Sequence, residues 1–291
     1  MAPSHKDVLL WIASNGYPFE LTVARLASEV GWNVSHGDTF EDVATGKLRQ
    51  GDLTVWALRP TDDRSAYARL ELSVECKRPV AAPWVAFRSK LKATREMLPT
   101  LCGRGFLAVY AMNEIVQRVD EFPIMLLGED PLIAHTVVQT MGKKEDPEMN
   151  PAYSGIRSAT AAALASARVL DNSYLSGRKP FFLQITLPVV AVDAELFEYS
   201  IDSDGTPQLQ SLPWCATTCP DPTRGASPAI AYVVPARSLS QFLTALRHEA
   251  VRFFDAVVPK LPEMAQLILP DVMKVYGEVT KKAKPAAWLP N

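Results

Sequence analysis

Long apolar runs are missing from this chain. The longest near its start, VLLWIA, is six residues, whereas a membrane-spanning helix needs about 20. No cationic start or small-residue cleavage site accompanies it, so no signal peptide and no membrane are expected. Cysteine is scarce: four residues in 291, scattered. That excludes a disulfide scaffold and suits a reducing, cytoplasmic setting. Cys215 and Cys219 make a C-x-x-x-C pair, but no second Cys or His pair lies nearby to complete a tetrahedral zinc site. The four histidines (His5, His36, His135 and His248) are dispersed. No Walker A pattern, no G-x-S-x-G and no H-E-x-x-H occurs. A dominant charge sign is lacking too: the net charge is −2, so no global basic field announces nucleic acid.

A hydrophobic fraction of 48% and a charged fraction of 21% describe a globular protein. The length allows one large or two small domains. No internal repeat divides the chain, and we read residues 1–291 as one domain. YPFELTVARLASEVGW reads as a helix: Phe19, Val23, Leu26, Ala27 and Val30 form one stripe, and Gly31 can end it. Glu20 lies at the margin of that stripe. WNVSHGDTF reads as a short strand, with a turn near EDVATGK. GDLTVWAL is a second strand, with Asp52, Thr54 and Trp56 on one face.

LELSVECKRP, positions 70–79, alternates apolar and polar residues. In a strand Leu70, Leu72, Val74 and Cys76 share one face, and Glu71, Ser73, Glu75 and Lys77 the other. The second face is expected to meet water or a cleft. Pro79 should stop the strand near Arg78. Farther on, WVAFRSKLKATREMLPTL is ambiguous between loop and helix. GFLAVYAM reads as a buried strand and MGKKEDPEMNPAYSG as a polar loop. IRSATAAALASARVL is helical by propensity. KPFFLQITLPVVAVDAELFEYSID holds one or two strands with a break near Pro188. The stretch from Asp202 to Pro228 reads as a long loop. A last helix begins with Ser238 and Gln241 at capping-box spacing, and the tail TKKAKPAAWLPN reads as a solvated end. Interleaved helices and strands indicate an α/β or α+β domain.

Three acids stand out. Glu20 is on a helix, Asp52 opens one strand, and Glu75 nearly closes the next. In an antiparallel hairpin the start of one strand faces the end of the following one, so Asp52 and Glu75 are expected to be neighbours. Like charges there destabilise a sheet, and a divalent cation would remove the penalty. Mg²⁺ takes a few carboxylates plus water, and the Cys76 carbonyl could join them. Lys77, on the same face, could touch a phosphate or the attacking water. Between Lys77 and Arg104 lie seven cationic side chains against Glu96 alone. That segment suggests phosphate binding through Arg78, Arg88, Lys90 and Lys92, with Trp84 and Phe87 placed to stack on bases; a solvated basic surface is the plainer reading. His36 is the one histidine near the proposed core.

Glu20 in the first helix, RQGDL at a strand head and VECK at the end of the next together resemble the PD-(D/E)xK nuclease superfamily, which includes restriction endonucleases and Mrr-like bacterial enzymes. The resemblance covers roughly residues 7–112, with 113–291 as a C-terminal elaboration. It departs from the family at Gly51, where a proline or bulky apolar residue usually precedes the aspartate. It implies a restriction-endonuclease-like mixed sheet flanked by helices. It implies an endonuclease acting on DNA with Mg²⁺ or Mn²⁺. Asp52, Glu75 and the Cys76 carbonyl would hold the metal, Glu20 would complete the acidic cluster, and Lys77 would serve the reaction. The setting implied is restriction or phage defence, with a homodimer or a defence-system protein as partner. Two rivals stand beside it: a nuclease fold that binds nucleic acid or a partner protein without cutting, and a metal-carboxylate hydrolase for another substrate.

Overall fold

The computed structural model describes residues 3–42, 45–78, 82–92, 132–140, 150–175, 181–219, 229–263 and 266. GFLAVYAM and the C-terminal tail lie outside these residues, as does the whole segment from Arg95 to Arg104. The protein is a mixed α/β structure built on a large mixed sheet.

Helix α1 (His5–Ser14) opens on a capping box in which Ser4 and Asp7 satisfy each other's backbone N–H groups. Helix α2 (Tyr17–Glu29) follows the expected stripe. Phe19, Val23, Ala24 and Ala27 are buried, Leu26 and Val30 pack against the same core, and Gly31 ends the helix at φ +84°. Strand β1 (Asn33–His36) then leads to a small hairpin of β2 (Thr39–Glu41) and β3 (Leu48–Gln50), which form a separate two-stranded sheet.

The remaining strands are β4 (Leu53–Pro60), β5 (Ala66–Lys77), β6 (Trp84–Lys92), β7 (Leu132–Gln139), β8 (Phe181–Val192), β9 (Leu196–Ile201), β10 (Pro207–Ser211), β11 (Cys215–Cys219) and β12 (Ala229–Pro235). With β1 they form a ten-stranded sheet in the order β1-β4-β5-β8-β12-β11-β7-β6-β9-β10. The β4–β5 hairpin is antiparallel, and β5 then pairs with β8 in parallel along its whole length. The late part of the chain therefore supplies the inner neighbour of the candidate catalytic strand.

Strands β8 and β9 stand five positions apart in this order, about 24 Å in a flat sheet. Only residues 193–195 join them, and four Cα steps reach about 14 Å. The sheet must therefore curl. Two backbone hydrogen bonds mark the closure: Asp193 donates to the Lys77 carbonyl and Trp84 to the Glu195 carbonyl, each at 2.8 Å. On one face α2 and α4 (Leu239–Val257) bury Leu70, Leu72, Ile185, Leu187, Phe242 and Phe253. Trp32 ties the two helices by donating its indole N–H to the Leu243 carbonyl at 3.1 Å. On the other face α3 (Pro151–Leu175) lays Ala152, Ile156 and Ala159 on Val190, Val192 and Trp84.

Several expectations are corrected. WVAFRSKLK is strand β6, not helix or loop; its Trp84 end is fixed by pairing with both β7 and β9. Pro188 does not break β8. It lies opposite Ser73 of β5, while the ladder to β12 begins only at Val189, so the missing N–H sits at the margin of pairing. The expected loop from Asp202 contains β10 and β11. Ser238 is the N-cap of α4 but makes no capping hydrogen bond, because a 3-10 turn, Ala236–Ser238, leads into the helix.

Candidate functional site

The sequence pattern of β5 places its apolar face in the core as expected: Leu70 and Leu72 are fully buried and Val74 nearly so. Its polar face departs from expectation near the middle of the strand. Glu71 is 2% exposed and Ser73 4% exposed, because α3 crosses that face. Toward the strand end it opens, with Glu75 and Lys77 half-buried.

The β4–β5 register runs from Pro60↔Tyr67 to Leu53↔Val74. One further step sets Asp52 opposite Glu75, as the hairpin argument required. Asp52 is anchored there: its Oδ2 accepts the Cys76 backbone N–H at 2.7 Å. In an antiparallel strand a residue's N–H and C=O address the same neighbour, so the Cys76 carbonyl also faces the Asp52 side. Lys77 Nζ lies 2.7 Å from Glu75 Oε1. Its stem runs past the first turn of α3. A Cβ added at Gly155 would come within 3.2 Å of Lys77 Cε and Cγ and of Val190 Cγ1.

The acids perturb one another. Burial holds the Glu75 carboxyl above its ordinary range, the Asp52 charge adds to this, and Lys77 opposes it. Asp52 is raised by burial, with the Cys76 N–H and Lys77 opposing. Glu20 is raised by burial and then by Asp52, with His36 opposing. The Cys76 thiol is pushed up by burial and by the surrounding acids, which disfavours its thiolate. Glu20, His36, Gln50 and Asp52 line one cleft of about 590 Å³. Glu75 lines a second cleft, of about 580 Å³, between the β2–β3 hairpin and α3.

The structure thus brings Glu20, Asp52, Glu75 and Lys77 together, and adds His36 beside Glu20. Among the described residues, no three His, Cys, Asp or Glu side chains converge closely enough to enclose an ion. A donor set of two opposed carboxylates with a backbone carbonyl on the same side still suits Mg²⁺, which keeps several of its waters. Gly51, the departure from the family pattern, donates its N–H to the Asp38 carbonyl at 2.9 Å. Proline could not make that bond.

The expected nucleic-acid contacts fare unevenly. Trp84 is 0% exposed and belongs to the core under α3, so its stacking role is withdrawn. Curling of the sheet buries it, which local pattern could not reveal. Phe87 is partly buried and pairs its ring with Tyr199 at 5.5 Å. Arg78 is exposed beside the site and faces Asp193 at 3.3 Å. Arg88, Lys90 and Lys92 lie on strand β6. Cys215 and Cys219 are buried in the sheet, and burial pushes the Cys215 thiol up to about 12, which suits packing rather than metal binding. Sequence reasoning missed the buried polar group formed by Arg69, Glu71, Ser166 and Gln184. Its one sequence signal was Glu71 within an otherwise core-forming strand.

Comparison with protein-family models, with curated proteins and with solved structures finds no match to this chain. No helix among the described residues is long and apolar enough to cross a membrane. The fold and site define a mixed α/β protein with a clustered acid–lysine centre at the open end of a β-hairpin.

Proposed function

We propose that the protein is a Mg²⁺-dependent endonuclease that hydrolyses phosphodiester bonds of DNA, on a restriction-endonuclease-like sheet. One observation carries the reading: Asp52 and Glu75 stand opposite each other at the open end of β4–β5, with Lys77 Nζ on Glu75. The order of elements supports it, since helix α2 contributes Glu20, a strand head Asp52 and the next strand end Glu75 and Lys77. Mn²⁺ suits the same donors.

Asp52 Oδ1 and Glu75 would hold the ion, with the Cys76 carbonyl beside them and Glu20 closing the cluster directly or through water. When bound, the ion supplies a Lewis acid that acidifies water and stabilises charge on a phosphate. The Cys76 N–H keeps the Asp52 carboxylate oriented. The Lys77 ammonium orients the attacking water or balances charge developing on the phosphate. Arg78 contributes a cation at the margin of the site.

The rival reading, a nuclease-like fold that binds nucleic acid or a partner without cutting, draws on the lack of a three-ligand cluster among the described residues. One experiment separates the two. Closed-circular and linear DNA are incubated with the protein in Mg²⁺, Mn²⁺ or chelator. Cutting of the closed circle with metal only, lost in Asp52→Ala and Glu75→Ala, is the expected result. Intact circles in both metals would overturn the endonuclease reading.

A further inference from the structure

The cleft between the β2–β3 hairpin and α3 holds chemistry that metal-dependent hydrolysis does not use. Arg69 of β5 and Gln184 of β8 occupy the same register position on adjacent parallel strands, so their side chains share the cleft face. Both line the cleft. Arg69 pairs through Nη2 with Glu71 Oε2 and lies 5.0 Å from the Trp56 ring centroid, which leaves Nε buried without a partner.

Burial pushes the Glu71 carboxyl up and the Arg69 guanidinium opposes it. With Glu71 held as a carboxylate by that pairing, the Gln184 amide has one orientation that satisfies its surroundings. Ser166 Oγ lies 2.5 Å from Glu71 Oε1 and gives its single proton to that carboxylate. It can then only accept from Gln184, whose Nε2 lies 2.9 Å away and also reaches Thr186 Oγ1 at 2.8 Å. Gln184 Oε1 is left with no partner, in a residue 4% exposed. A donor and an acceptor without partners thus belong to residues at one register position on the cleft floor. Unpaired buried polar atoms are unfavourable, and a ligand that pairs both is favoured accordingly.

The walls restrict what that ligand is. Phe40 and the alanines Ala159, Ala162 and Ala165 give an apolar slot. Asp38, Glu41, Glu71 and Glu75 face it, with Arg69 paired to Glu71 and Lys77 to Glu75; the surplus of acids disfavours phosphate. We infer that this cleft is a binding pocket for a nucleobase: a flat, uncharged ring whose edge carries an N–H beside a C=O or ring nitrogen. The ring's N–H donates to Gln184 Oε1 and its acceptor takes the Arg69 Nε–H, after a small turn of the two side chains. The phosphates stay outside. The ring packs on Phe40 and on the small residues of α3. That the base belongs to a DNA strand rests on the nuclease reading; the pocket itself does not.

The test uses the full chain in chelator, so no metal-dependent cleavage takes part. Thymidine is titrated while tryptophan fluorescence is followed, with Trp56 beside Arg69 as the reporter, and calorimetry repeats the measurement. Thymidine is expected to bind saturably, and 3-methylthymidine, in which a methyl group replaces the ring N–H hydrogen, at least about tenfold more weakly, through the loss of one buried hydrogen bond and the added bulk. Deoxyribose alone should not bind. Gln184→Leu should weaken thymidine about tenfold and remove the preference over the methylated analogue. Should Gln184→Leu fail to fold, Ala162→Trp fills the half-exposed slot from the helix surface and should abolish binding. No saturable binding up to about 10 mM, tenfold above a Kd of ~1 mM, overturns the pocket, as does equal binding of the two nucleosides. Thymidine binding together with uncut closed-circular DNA would leave the pocket standing and the nuclease reading refuted.

Discussion

Replacing Glu75 by glutamine keeps the shape of the side chain and removes one of two opposed charges. Two unit charges 4 Å apart at an effective dielectric of 20 repel by about 4 kcal/mol. The change also ends the ion pair with Lys77, whose side chain is 25% exposed; screening limits that loss to about 1 kcal/mol. Without metal, Glu75→Gln should therefore be more stable than the native chain by about 1–3 kcal/mol at neutral pH. For a chain of this size that raises Tm by roughly 2–5 °C. The sign follows from linkage. The folded-state pKa of Glu75 is raised, so its contribution is favourable at low pH and is lost as pH rises through that raised value. The gap between variant and native protein should thus open as pH climbs above about 4.5. Metal should reverse the order. At 100 times its Kd, Mg²⁺ adds about 2.7 kcal/mol to the native protein and much less to a site with one carboxylate removed. Thermal unfolding by circular dichroism, from pH 4 to 8, with chelator and with Mg²⁺, reads all of this. A variant less stable than the native protein in chelator at pH 8, or equal Mg²⁺ stabilisation of both, would refute the reasoning.

Lys77→Met should cut single-turnover cleavage at saturating protein by at least about 100-fold, the scale of removing one charge that stabilises the transition state, with DNA affinity within about threefold; weaker affinity with normal turnover would make Lys77 a phosphate anchor only. Gly155→Ala gains about 1 kcal/mol of helix propensity yet crowds Lys77 and Val190 at 3.2 Å, so cleavage should fall while Tm barely moves; unchanged cleavage would show that Lys77 needs no such space. Leu72→Ala, at the fully buried centre of β5, should lower stability by about 2–5 kcal/mol, measured by urea unfolding. Arg88, Lys90 and Lys92 changed together to Glu should weaken DNA binding and flatten its salt dependence, at about 0.9 in slope for each phosphate no longer neutralised; no change in either would remove β6 from the DNA surface.

Much of the site was legible in the sequence because it rests on local geometry. The period-two pattern of residues 70–77 and the strand beginning at Leu53 determine which side chains share a face. A hairpin of that length determines that Asp52 meets Glu75. The stripe of α2 and the glycine that ends it are equally local. What lies across that face was not legible. The burial of Glu71 and Ser73, the loss of Trp84 to the core and the passage of β8 through Pro188 all depend on partners from distant sequence. Helix α3 starts 74 residues after Lys77, and β8 pairs with β5 across more than 100 residues of chain. Alternation assigns a side chain to a face, and only the packed helix and the curled sheet decide whether that face meets solvent, protein or a cleft. The unpaired Gln184 oxygen is of this kind: Ser166, Glu71 and Gln184 come from two strands and a helix, and no spacing in the chain brings them together.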